Sequence, residues 1–273
     1  APINIFSNPI ASISPISTVC EETTTQFISS SNGTSSSLYE WNWNFGDGSP
    51  IESTLIPSTN HQYNDCNSSM PYYVTLEVID NNGCKDITDG MDIAIVNCNP
   101  TANFDAPPVC DGQATNFTFT GNVASGFNID NYAWKMNNHP VNWEENIWSQ
   151  PTYIYPFNTG PNTYNVELIV TDNQTPACSD DITLPVIVYP LPQVSFTADP
   201  VCHETATQFI YWSNHTIAPG ISTWNWSMND PIDGTYIIGD YNLPDPLFEF
   251  HTPSPNYMIT LEVTDYNTCT SLP

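Results

Sequence analysis

The chain has 273 residues, enough for two or three ordinary domains. Two Lys, no Arg and 29 acidic residues give a net charge of −27. That excludes nucleic acid as a partner, because phosphate binding needs clustered Lys and Arg, and it sets the chain against anionic membrane surfaces. No apolar run approaches the ~18 residues of a membrane span, so no direct membrane insertion is expected. The acidic residues are spread without runs, as on a solvated, self-repelling surface.

Taken in chain order, "APINIFSN" (1–8) has the alternation of a short strand. "STVCEETTTQF" (17–27) opens a pattern that returns as "PPVCDGQATNF" (107–117) and "DPVCHETATQF" (199–209). Each copy has Val-Cys and then a Phe seven residues after the Cys: Cys20/Phe27, Cys110/Phe117 and Cys202/Phe209. The chain is therefore an internal repeat of about 90 residues.

Next comes "WNWNFGDGSP" (41–50), where Trp41, Trp43 and Phe45 keep period two. One face of this strand must fill a core, as must its counterparts at Tyr132-x-Trp134-x-Met136 and Trp224-x-Trp226-x-Met228. The two positions after each are Gly46-Asp47, Asn137-Asn138 and Asn229-Asp230. Gly and Asn tolerate positive φ, and short Asp or Asn side chains bond their own turn. A catalytic carboxylate could not become Asn138 and keep its chemistry, so Asp47 reads as a turn residue. Each copy then reaches a Val/Ile/Tyr-rich alternating strand, "YYVTLEVID", "YNVELIVTD" and "YMITLEVTD", ending in an Asp turn and a Cys at 84, 178 and 269.

Short strands, a central Trp and no helical period predict an all-β chain of three tandem Ig-like antiparallel sandwiches in an extended rod. The pattern W-x-F-G-D-G, then His61-Gln62-Tyr63, then Y-x-V-x-L-x-V-x-D, resembles the PKD (polycystic-kidney-disease repeat) domain. The Val-Cys and Gly-Cys markers resemble the tandem type found in large secreted and surface proteins of Bacteroidota. In copies two and three the H-x-Y has become Tyr153-Ile154-Tyr155 and Phe248-Glu249-Phe250. The resemblance implies an extracellular setting, in agreement with eight cysteines that form no C-x-x-C pair.

Repeat logic pairs Cys20 with Cys84, Cys110 with Cys178 and Cys202 with Cys269, and leaves Cys66 and Cys98 for a bridge within the first copy. The expected boundaries are 9–99, 100–190 and 191–273, with the third module lacking its final strand. Residues 1–8 match "PVIVYPLPQVSF" (185–196) from Pro2 on, so Ile3, Asn4, Ile5 and Phe6 read as the last strand of a neighbouring module. The chain then behaves as one period of a longer array, either cut from a giant tandem protein or assembled by strand donation between copies.

Two functions fit these features. One is a non-enzymatic structural or adhesive segment of an extracellular surface fibre, whose expected partners are neighbouring copies, with a surface polysaccharide or another surface protein as a further candidate. The other is a carbohydrate-binding or spacer region of a secreted hydrolase, with Trp143, Trp148 and Trp212 as candidate contacts and Glu144-Glu145 beside the first two. The five histidines form no catalytic set, and no cofactor or metal site is expected; the charge leaves room for a structural calcium, although no D-x-D-x-D-G loop exists.

Overall fold

The computed structural model describes residues 2–66, 70–137, 146–147, 152–156, 160–213, 220–228, 234–253 and 257–272. Every regular element among them is a strand. They enclose three separate apolar cores, centred on Trp43, Trp134 and Trp226.

In each copy the Trp strand pairs antiparallel with the Val/Leu-rich strand: Leu38–Asn44 with Tyr72–Asp80, Ile129–Asn137 with Asn162–Asp172, and Ile221–Met228 with Ile259–Asp265. The registers agree, with Trp43 opposite Leu76, Trp134 opposite Leu168 and Trp226 opposite Leu261. All three pairs also slip by one residue at the start of the Trp strand, at Leu38/Glu40, Ile129/Asn131 and Ile221/Thr223. The bulge increases local twist and re-aims the chain into the turn beside it. A facing sheet carries the Phe of the opening motif: Thr24–Ile28 with Ser58–Gln62, Ala114–Phe119 with Thr152–Pro156, and Ala206–Ser213 with Leu247–Phe250.

Alternation dictates which residues meet between the sheets. Phe27, Phe117 and Phe209 pack on the three tryptophans with ring centroids 6.3, 5.5 and 5.2 Å apart. Trp43, Trp134 and Trp226 are 0, 2 and 3% exposed. Full burial of side chains this large dominates the stability of each core.

The opening Val-Cys adds a parallel edge to the strand that leaves the module. Val19–Cys20 pairs with Val96–Asn97, and Val109–Cys110 with the end of Ser179–Tyr189, at Val109↔Val188 and Cys110↔Tyr189. Val201–Cys202 has no such partner among the described residues. The Trp strands test this architecture. Trp134→Ala should cost about 3–5 kcal/mol of unfolding free energy in urea titrations, whereas Tyr73→Ala, on the exposed face, should cost under about 1 kcal/mol.

Candidate functional site at the module junctions

Strand direction decides what the cysteines can reach. Tyr72 pairs with Ala94, near the exit of the first module, and Asp80 pairs with Leu38 at its entrance. Cys20 lies at the exit beside Asn97, and Cys84 follows Asp80 at the entrance. Nine residues of strand separate the two ends, about 26 Å at ~3.3 Å per residue. A disulfide needs Cα atoms within about 7 Å.

The bridges accordingly run between modules. Cys20 bonds Cys178 and Cys110 bonds Cys269, with Cα–Cα distances of 5.6 and 5.5 Å. The opening Cys of one copy thus takes the closing Cys of the next. This corrects the pairing expected within each copy, Cys20–Cys84, Cys110–Cys178 and Cys202–Cys269. Cys66 bonds Cys98 inside the first module. Cys84, half-buried, and Cys202, exposed, are free thiols. Each long bridge closes a loop of about 158 residues, for which the chain-entropy model gives about 5 kcal/mol; the loops overlap, so the two do not add.

A buried carboxylate holds each closing cysteine. Asp80, Asp172 and Asp265 are each 1% exposed. Their Oδ1 atoms accept the N–H of Cys84, Cys178 and Cys269, each at 2.9 Å. The Asp N–H groups donate back to the carbonyls of the same cysteines at 3.0, 2.9 and 2.9 Å. In the second copy Gln174 adds to this: its backbone N–H donates to Asp172 Oδ1, and its side-chain amide donates both to Asp172 Oδ2 and to the Cys98 carbonyl across the junction. Asn97 completes the contact by donating to the Pro176 carbonyl.

The opening turn is equally uniform. Glu22, Gly112 and Glu204, two residues after each opening Cys, have φ of 61, 82 and 58°. The N–H of the next residue returns to the Cys carbonyl: Thr23 to Cys20, Gln113 to Cys110 and Thr205 to Cys202. In the first copy Glu21 also accepts the N–H of Cys66 and of Asn99, tying the Cys66–Cys98 bridge to the exit of the module. The sequence marked Asp80, Asp172 and Asp265 as turn residues at the strand ends but not their burial or their hold on the cysteines, and it did not single out Gln174 or Glu21. The signal available was a strand ending in Asp four to six positions before Cys.

The FGDG turn lies elsewhere. Gly46 has φ +77°, and a Cβ there would meet Tyr73 O at 2.4 Å. Asp47 Oδ1 accepts the N–H and hydroxyl of Ser49, and Oδ2 accepts from His61 Nε2 at 2.7 Å. His61 stacks flat on Phe45, with centroids 3.8 Å apart. Burial acts to raise the Asp47 pKa, but the bonds from Ser49 and His61 outweigh it and hold the carboxyl below its usual range. Asn137 ends its strand. Asn138, Asn229, Asp230, Trp143 and Trp148 lie outside the described residues. Trp212 is 56% exposed. Ile3 and Ile5 are 87 and 92% exposed, and residues 2–6 belong to no strand. No group of three or more His, Cys, Asp or Glu side chains converges on a metal-sized space among the described residues.

The folds and junctions define a tandem Ig-like β-sandwich protein with disulfides between successive modules. Within it, the family model described as PKD domain matches residues 6–95, the stretch that holds the first module. No curated protein matches the chain. Among solved structures, the three titin Ig domains I67–I69, in an E-to-A mutated variant, align at 11% identity and a TM-score of 0.36, covering 98% of each chain. The three N-terminal domains of the bacteriophage RB49 Highly Immunogenic Outer Capsid protein align at 10% identity and 0.35, covering 96% of each. The chicken CNTN1 FN1–FN3 domains align at 10% and 0.29, covering 97% of this chain and 96% of that one. At such scores these likenesses decide nothing about this chain.

Two outcomes test the geometry. Asp172→Ala strands the N–H groups of Gln174 and Cys178, at about 1–3 kcal/mol for each buried donor left unpaired. The thermal midpoint should drop, and on oxidative refolding the Cys20–Cys178 bridge should form more slowly than Cys66–Cys98, read by peptide mapping. For Asp47, a pKa lowered by folding stabilises at pH above the usual carboxylate range, and that contribution is lost as pH falls through the lowered value. The difference in thermal midpoint between the parent and Asp47→Asn should therefore be largest near neutrality and shrink towards zero on acidification.

Proposed function

We propose that the chain is a non-enzymatic, load-bearing segment of an extracellular fibre, with neighbouring modules of the same kind as its partners. One observation carries this reading: the same opening-to-closing disulfide crosses both junctions. Such a bridge limits hinging between sandwiches and gives pulling force a covalent route past each core. Disulfides persist in oxidising surroundings outside the cytosol, and a chain with two Lys and no Arg offers trypsin-like proteases few cleavage sites.

Antibodies against the folded chain should label intact source cells; labelling only after lysis would overturn the reading. Single-molecule pulling from residues 1 and 273 supplies the mechanical test. With bridges intact, the unfolded chain should extend to roughly 30% of its reduced length, since the shortest covalent path crosses Cys66–Cys98 and Cys110–Cys269 at ~3.5 Å per remaining residue. Equal extensions before and after reduction would contradict it.

Exposure of Trp212 and Ile210 on one face of the strand Ala206–Ser213 favours a second reading, polysaccharide contact. Quenching of Trp fluorescence by a surface polysaccharide, abolished in Trp212→Ala, would support it. An unchanged titration in that variant would exclude Trp212 as the platform.

A further inference from the structure

We propose that Cys202 and Cys84 are the two halves of one more rung in the same disulfide ladder, closed between two copies of this chain joined tail to head. The proposal rests on the fibre reading above and names the partner of the two free thiols.

Both thiols already sit in the geometry of their bonded counterparts. Cys202 has the left-handed residue two positions on and the Thr205 N–H returned to its carbonyl, as at Cys20 and Cys110. Cys84 is held by Asp80 as Cys178 is by Asp172 and Cys269 by Asp265. The bonded rungs join an opening Cys to the closing Cys of the next copy. In that scheme Cys202 takes a closing Cys and Cys84 an opening one, so each free thiol has the complement of the other.

A further observation points to a missing neighbour. Beside Cys202 is a cavity of about 630 Å³, lined by Pro200, Val201, Phe209, Tyr257 and Ile259. In the second module the corresponding place, between Val109–Cys110 and Asn162–Asp172, is filled by the strand Ser179–Tyr189, with Val186 and Val188 turned inward.

The second copy supplies both the strand and the cysteine. Aligning Pro2 with Pro185 puts Ile3 and Ile5 where Val186 and Val188 are buried, which turns inward the two side chains now 87 and 92% exposed. Asn4 and Phe6 then take the places of Ile187 and Tyr189. Ile5 would lie opposite Val201 and Phe6 opposite Cys202, in the parallel register of Val109↔Val188 and Cys110↔Tyr189. The spacing continues as well. Cys178 follows Val96 by 82 positions and Cys269 follows Val188 by 81, and Cys84 follows Ile5 by 79.

Closure needs an oxidant, supplied as a small-molecule disulfide such as oxidised glutathione. The Cys202 thiolate attacks one glutathione sulfur and displaces the other glutathione as thiolate. The Cys84 thiolate of the second copy then attacks the Cys202 sulfur of that mixed disulfide and displaces the remaining glutathione. Two cysteine thiols lose their protons and two electrons, and the oxidant becomes two glutathione thiols.

The test uses the 273-residue chain in a glutathione redox buffer. The parent should form a series of reducible multiples of 30.3 kDa, with Cys84 and Cys202 in one linked peptide. Cys84→Ser and Cys202→Ser should each remain monomeric. Mixed together they should give a disulfide-linked dimer and nothing longer, because only one complementary pair is left. Deleting residues 2–8 in the Cys202→Ser partner should slow that dimer at least tenfold. A monomeric parent, an 84–202 bond within one chain, or equal dimerisation of either variant alone would overturn the proposal. The pulling and labelling experiments are made on single chains and intact cells, so they stand or fall independently of it.

Discussion

A buried aspartate at the end of the second core strand governs much of this molecule. Asp80, Asp172 and Asp265 sit where the strand enters its turn, and one carboxylate oxygen and the Asp N–H together fix both backbone groups of the cysteine that follows. A buried carboxylate is costly unless several donors satisfy it. Where those donors are the turn itself, the cost is offset and the cysteine has one position. It emerges at the entrance of its module, and in the second and third copies the sulfur it meets there belongs to the preceding copy.

The sandwich cores make that placement meaningful. The Trp–Phe contact recurs in all three copies, with the same partner strand and the same bulge. Close-packed interiors do not shear. Each module is therefore a firm spacer, and the bridges join the exit of one spacer to the entrance of the next. The two junctions are not identical in detail. Glu21, Gln174 and the Cys66–Cys98 bridge reinforce the first.

The FGDG turn shows how a sound residue-level reading can be incomplete. Gly46 is required by its positive φ and by the Tyr73 backbone pressed against it. Asp47 bonds its own turn through Ser49, as its residue type implies. It also reaches fourteen positions on to His61, which stacks on Phe45. Turn chemistry is local and can be read in a short window. That contact depends on the facing sheet bringing Ser58–Gln62 over the Trp strand, a distance relation no window contains.

What the sequence determined by itself was periodic: the repeat, the strands, the inward face of Trp43, Trp134 and Trp226, and the left-handed turn at Gly46. Each follows from side-chain alternation or from backbone sterics, which act over a few residues. Cysteine pairing was decided only by the tertiary structure. Equivalent positions in a repeat have equivalent surroundings, so spacing alone cannot distinguish a bridge within a copy from one between copies. The direction of the strand Tyr72–Asp80 does, because it carries Cys84 to the opposite end of the sandwich from Cys20, out of reach of any disulfide.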